Sequence, residues 1–171
     1  MIMMHEQELA YHVGDQVVHW VYGLGEIVQL DEKKLSGQPE NFYVVNIRDI
    51  TLWVPISERG ERCLRSLTPA KDFKKLFGIL ASPGEPLSTD RLERRNQLME
   101  RLKDGTLESI CRVIRDLALH KQIQKMNEND NVIQNRALNF LLDEWSTVLS
   151  VPVQQADREL QNLLGVGVLA A

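Results

Sequence analysis

The chain has 171 residues, 43% hydrophobic and 26% charged, the balance of a folded globular protein rather than a disordered one. Twenty Lys and Arg against 24 Asp and Glu leave a net charge of -4, which excludes a polycation that coats nucleic acid by bulk charge, though not a local basic face. No run approaches the roughly 18–20 consecutive apolar residues of a membrane span. Met1 to His12 lack the basic and apolar regions of a signal peptide, and Cys63 and Cys111 are isolated thiols suited to a reducing compartment. A cytoplasmic location with no membrane contact is expected.

From Tyr11 to Ile56 the residues alternate and turn as strands do. Val13-Gly14-Asp15 is turn-like, and Gln16 to Val21 is rich in β-branched and aromatic residues. Gly23 and Gly25 bracket a turn before a second strand over Glu26 to Leu30. Ser36-Gly37-Gln38-Pro39 is a strong turn signal before a third strand, Phe42 to Ile47, and a fourth, Thr51 to Pro55. Short strands at this density predict a small barrel or strongly bent sheet. Alternation along Phe42-Tyr43-Val44-Val45 sends half of those side chains outward. With Trp20, Tyr22 and Trp53 they either cap the module's own small core or offer exposed aromatics near a strand edge, a surface suited to a protein partner.

The second half changes to the helical period. Thr68-Pro69-Ala70 starts a helix with Phe73, Leu76, Phe77 and Leu80 on one face. The clearest break in the chain, Ala81 to Pro86, is where the boundary between the two domains is expected. Counting the helix before it as a connector over 67–83, the chain divides into a β domain over 11–66 and a helical domain over 67–165. Ser88-Thr89-Asp90 caps a helix from about Arg91 to Lys103, which Asp104-Gly105 stops, and Thr106 caps the next. In that helix Leu107, Ile110, Cys111, Ile114, Leu117 and Ala118 form one apolar stripe. Asn127 to Asn131 reads as a loop. A further helix aligns Leu138, Leu141, Leu142, Trp145, Val148 and Leu149, and a short last one runs from Gln154 to Leu164, fraying from Gly165 onward. The fold class is α+β, a small β module followed by four or five helices.

No catalytic constellation emerges. His5, His12, His19 and His120 are dispersed, with no metal-ligand spacing, so no metal or cofactor is expected. His120 ends a helix, where a cation is favoured. Cys111 lies on an apolar stripe and reads as a buried structural thiol. Gly23-Leu24-Gly25 lacks the rest of a phosphate loop. Between residues 91 and 125, however, nine basic side chains face five acidic ones, a net of +4. Arg91, Arg94, Arg95 and Arg101 fall mainly away from Leu92, Met99 and Leu102, and Arg112 neighbours Arg115 on the polar side of the next helix. Such a face is either solvation with internal ion pairs or a set of phosphate contacts that reads no base sequence.

Val13-Gly14-Asp15-Gln16-Val17-Val18-His19 followed by Gly23-Leu24-Gly25-Glu26-Ile27 resembles the opening of the CarD and CdnL bacterial transcription regulators. The module is shared with the transcription-repair coupling factor. Phe42-Tyr43-Val44-Val45 and Leu52-Trp53-Val54-Pro55 match further strands. Arg94-Arg95, Leu102-Lys103-Asp104-Gly105, Val113-Ile114-Arg115-Asp116-Leu117 and the stretch from Leu138 to Leu164 are similar to the family's helical half. The resemblance implies an N-terminal Tudor-like β-barrel that binds the RNA polymerase β subunit, at Lys33, Trp53, Val54 and Pro55 here. It implies a helical bundle that contacts upstream promoter DNA without reading its sequence, through Arg91, Leu92, Arg94, Arg95, Arg112 and Arg115. It implies a non-enzymatic, monomeric regulator that stabilises the open promoter complex.

The departures from the family pattern are specific. Arg91 stands where members commonly carry a minor-groove tryptophan. Trp20 replaces a usual proline, Tyr22 a histidine, and Trp53 an arginine before Val-Pro. The alternative is a divergent protein-only binding module that has lost DNA engagement.

Overall fold

The computed structural model describes residues 9–170, so His5 and most of the segment read for a leader lie outside the described residues. The chain forms two compact units, one ending at Leu67 and the other starting at Thr68. Among the described residues no helix is long and apolar enough to cross a membrane.

The first unit holds β1 (Gln16–His19), β2 (Gly23–Leu35), β3 (Gln38–Ile47), β4 (Ile50–Pro55), a short helix α1 (Glu58–Glu61) and β5 (Leu64–Ser66). They make one antiparallel sheet in the order β4-β3-β2-β1-β5. β2 and β3 form a long hairpin in which Leu35 pairs with Gln38. Its two-residue turn places Ser36 at φ 55° and Gly37 at φ 81°. That is the doubly left-handed turn whose twist suits a hairpin, and Gly37 adopts it without a Cβ penalty. Gln38 and Pro39, read as turn, already belong to β3.

The barrel expected from the sequence is not closed. β4 and β5 stand at opposite ends of the sheet order with no ladder between them, and α1 occupies the connection that joins them. β5, three residues long, was not foreseen. The sheet's main core is Val17, Ile27, Tyr43, Val45, Ile47, Val54 and Leu64. Tyr43 Oη also donates to Glu61 Oε1 at 2.9 Å, tying β3 to α1. The expected outward half of Phe42–Val45 is absent, because all four side chains are buried. Cross-strand partners share a face. Phe42 lies opposite Asp31 and Pro55, and Val44 opposite Gln29 and Trp53, so these side chains neighbour them on the second face.

The second unit holds α2 (Phe73–Ala81) after a 3-10 turn (Ala70–Asp72), α3 (Arg91–Arg101), a 3-10 turn (Leu102–Asp104), α4 (Leu107–Ile123), α5 (Glu128–Leu149) and α6 (Val153–Ala170). The apolar stripes meet in one core, with Phe73, Leu76 and Leu80 against Leu107, Ile110, Cys111 and Ile114, Leu141 and Trp145, and Leu160 and Leu164. Since α2 is built into this core, Ala81 to Pro86 is a connection inside the unit and not a boundary between units. Asp90 and Thr106 cap α3 and α4 as expected, accepting from the Glu93 and Ser109 backbone N–H groups.

Two helix ends differ from expectation. The polar run Asn127–Asn131 is not a loop: Asn127 and Asp130 form a reciprocal capping box that opens α5 at Glu128. The chain from Gly165 onward is helical as far as Ala170. A Cβ on Gly167 would lie 2.5 Å from the Ser82 carbonyl oxygen, so this glycine lets α6 approach the end of α2.

Candidate functional site

In the sheet unit, Trp53 points outward from β4, 43% exposed. Its Nε1 donates to Asp31 Oδ2 at 3.1 Å, and Lys33 Nζ stands 3.9 Å from the ring centroid. Lys33 and Asp31, two apart on β2, reach across β3 to hold the indole in place. The structure thus brings Lys33 and Trp53 together and adds Asp31, which sequence reasoning missed. Val54 is different: its side chain is in the core, and it offers only main chain to a partner. Pro55 is half-buried. β4 is an edge strand, so this patch borders backbone groups available for strand pairing. Trp20 and Tyr22 are exposed beside His19, whose Nδ1 accepts from the Val21 and Tyr22 N–H groups. Burial pushes the His19 pKa down.

In the helical unit the six expected contact residues divide sharply. Arg91 and Arg95 are exposed one turn apart on α3, and neither has an ion-pair or hydrogen-bond partner among the described residues. Leu92 is 63% and Met99 46% exposed on the same side. Arg94 does not belong to this face. Its side chain is 1% exposed, and Nε and Nη2 donate to Asp130 Oδ1 and Oδ2, both at 2.9 Å. Nη1 donates to the Ser88 carbonyl at 3.0 Å. Arg115 is also turned in, bonding Asp116 at 2.9 Å and Ser82 Oγ at 3.0 Å. Arg112 is more exposed but is paired with Glu108 at 2.8 Å.

The reading of α3's faces is therefore partly inverted. Arg94, Leu98 and Arg101 point inward, and Leu92 and Met99 point out. Spacing alone carried the signal, because Arg94 lies four residues before Leu98 and Arg101 three after it, on one helical face.

Electrostatics follow from this packing. Burial opposes ionisation of Asp130, yet the Arg94 guanidinium and the Asn127 N–H together hold its carboxyl below the usual range. His120 is not an exposed helix-end cation. It is buried, and burial reinforced by the Arg94 charge pushes its pKa down. Burial, with Glu144 and Glu108 nearby, pushes the Cys111 thiol up to about 12. Among the described residues no three His, Cys, Asp or Glu side chains cluster as metal ligands. The described residues thus present two separate surface features: a sheet edge with a pinned tryptophan, and a helix with unpaired cations beside exposed apolar side chains.

Residues 11–67 match the domain described as "CarD-like/TRCF RID domain", and residues 75–161 match "CarD, C-terminal domain". A Bacillus subtilis (strain 168) protein named "Putative transcription factor YdeB" is 24% identical over 151 residues, which is 85% of this chain and 96% of that protein. The chain belongs to the CarD family, and its role is transcription-related and of the RNA polymerase-interacting kind.

Proposed function

We propose that the protein binds the RNA polymerase β subunit through its sheet and stabilises the open promoter complex through α3, by contact with upstream promoter DNA that does not read base sequence. On the polymerase side the reading assigns Lys33, Trp53 and the main chain of β4 at Val54 and Pro55. On the DNA side it assigns Arg91 and Arg95 to phosphate, with Leu92 and Met99 as the apolar part of the contact. The observation that carries it is the one unpaired face of α3, where two free arginines flank exposed apolar side chains. Apolar side chains hold unstacked or widened steps, and cations beside them meet the backbone. Arg91, at the position of the family's tryptophan, supplies charge there in place of an aromatic wedge.

The test is the lifetime of the open complex formed by the cognate polymerase. Arg91→Glu with Arg95→Glu is expected to shorten it while the protein stays folded and polymerase-bound. An unchanged lifetime would remove α3 from the mechanism. A protein-only module is the second reading, favoured by the internal pairing of Arg94, Arg112 and Arg115. Two phosphate contacts imply a salt slope of about −1.8 in log affinity. Weak DNA binding with no salt dependence would favour the second reading.

A further inference from the structure

The α3 sequence Arg-Leu-Glu-Arg-Arg-Asn-Gln-Leu-Met-Glu-Arg holds three apolar residues, and two of them, Leu92 and Met99, face solvent. Only Leu98 enters a core, a small cluster with Leu87, Val113, Leu117 and Ile133. Besides this leucine, ion pairs on buried carboxylates hold the eleven-residue helix at both ends.

Near the N-terminus, Arg94 forks onto both oxygens of Asp130 while its remaining nitrogen holds the Ser88 and Thr89 carbonyls. Asp130 is itself fixed, since it closes the capping box of α5 by accepting from the Asn127 N–H at 3.0 Å. At the C-terminus, Arg101 bonds Asp116 of α4, whose side chain is fully buried. Asp116 also accepts from Arg115 Nε at 2.9 Å and from the Glu85 N–H at 2.8 Å in the segment leading into α3. A guanidinium fork on a carboxylate fixes direction as well as distance.

We infer that Arg94, with Asp130, is a positioning pair for the α3 contact face: it sets the rotation at which Arg91, Leu92 and Arg95 are presented, and it makes no contact with DNA itself. Arg101 with Asp116 does the same at the other end. The inference rests on the reading of α3 as the DNA-contacting helix.

The test is binding of the full chain to a duplex–bubble promoter fragment by fluorescence anisotropy across a salt series, with amide hydrogen exchange of α3 measured in parallel without DNA. Arg95→Gln removes a phosphate contact and is expected to reduce the salt slope by ~0.9. Arg94→Gln is expected to lower affinity several-fold at every salt concentration, leave the slope unchanged, and speed exchange along α3. Arg94→Gln with Asp130→Asn leaves no unpaired buried charge, keeps the unit folded if the single variant does not, and should recover α3 protection with the wild-type slope.

A slope reduced by ~0.9 in that double variant would make Arg94 a phosphate contact and overturn the inference. So would an Arg94→Gln protein with wild-type affinity and wild-type exchange. If the unaltered protein binds no DNA, the proposed function fails by itself. The exchange data then still decide whether Arg94 and Asp130 orient α3.

Discussion

Removing Arg94 should be among the most damaging single changes in the helical unit, although the charge pattern of the sequence places it on an outward basic face. Arg94→Ala deletes two bonds of 2.9 Å to Asp130 and bonds of 3.0 and 3.3 Å to the Ser88 and Thr89 carbonyls, and it leaves a carboxylate with a side-chain exposure of only 3%. Breaking a buried pair by removing one partner costs about 3–5 kcal/mol, because the other charge remains buried and uncompensated. In a unit of this size each kcal/mol moves the melting temperature by roughly 4–8 °C, so a fall of at least ~12 °C is expected. Replacing both partners, as in Arg94→Met with Asp130→Leu, removes the stranded charge and should recover most of that loss. Urea unfolding followed by far-UV circular dichroism measures both variants. The reasoning is refuted if Arg94→Ala loses less than about 1 kcal/mol, the cost of an ordinary surface ion pair, or if the double replacement is as unstable as the single one.

Three further expectations follow from other parts of the molecule. His120 has a folded-state pKa below its ordinary 6.5, so the unfolded chain takes up its proton first. The helical unit should then hold constant stability above about pH 6.5 and lose it as the pH falls, before the Asp130 carboxyl, held below its ordinary range, takes up a proton. His120→Gln should flatten that slope in thermal melts, and an unaltered slope would put the titration elsewhere. Trp53→Phe keeps an aromatic face for Lys33 but loses the bond to Asp31, so a stability loss of only about 0.5–1.5 kcal/mol is expected with weakened polymerase binding. A large melting shift would make the indole structural. An alkylating thiol reagent should modify Cys63 in the folded protein and spare buried Cys111, and mass spectrometry finding both labelled under native conditions would contradict the packing.

How far the sequence was legible depends on whether a feature is local. The caps at Asp90 and Thr106, the Ser36-Gly37 turn and the stripes ending on Leu141 and Trp145 are set by neighbours within a turn or two, and they stand where expected. β5 is three residues held by a ladder with β1 and by Leu64 in the core, partners far away in sequence, so no local pattern announces it. Phe42 and Val44 are buried against simple alternation, with residues of other strands beside them on the second face. The helical extension past Gly165 depends on contact with the end of α2, while glycines by themselves argue for fraying. Arg94 carries a charge typical of a surface residue but lies on the helical face of Leu98, and its position decides its burial. Its partner, Asp130, lies 36 residues away in a run whose polarity concealed a helix start.

The most direct test of the account is binding of the full chain to a purified lobe fragment of the polymerase β subunit by calorimetry. Saturable one-to-one binding is expected, weakened by Lys33→Glu with Trp53→Ala and unaffected by Arg91→Glu with Arg95→Glu. No binding to the fragment or to whole polymerase, or equal binding by the Lys33 and Trp53 variant, would contradict it.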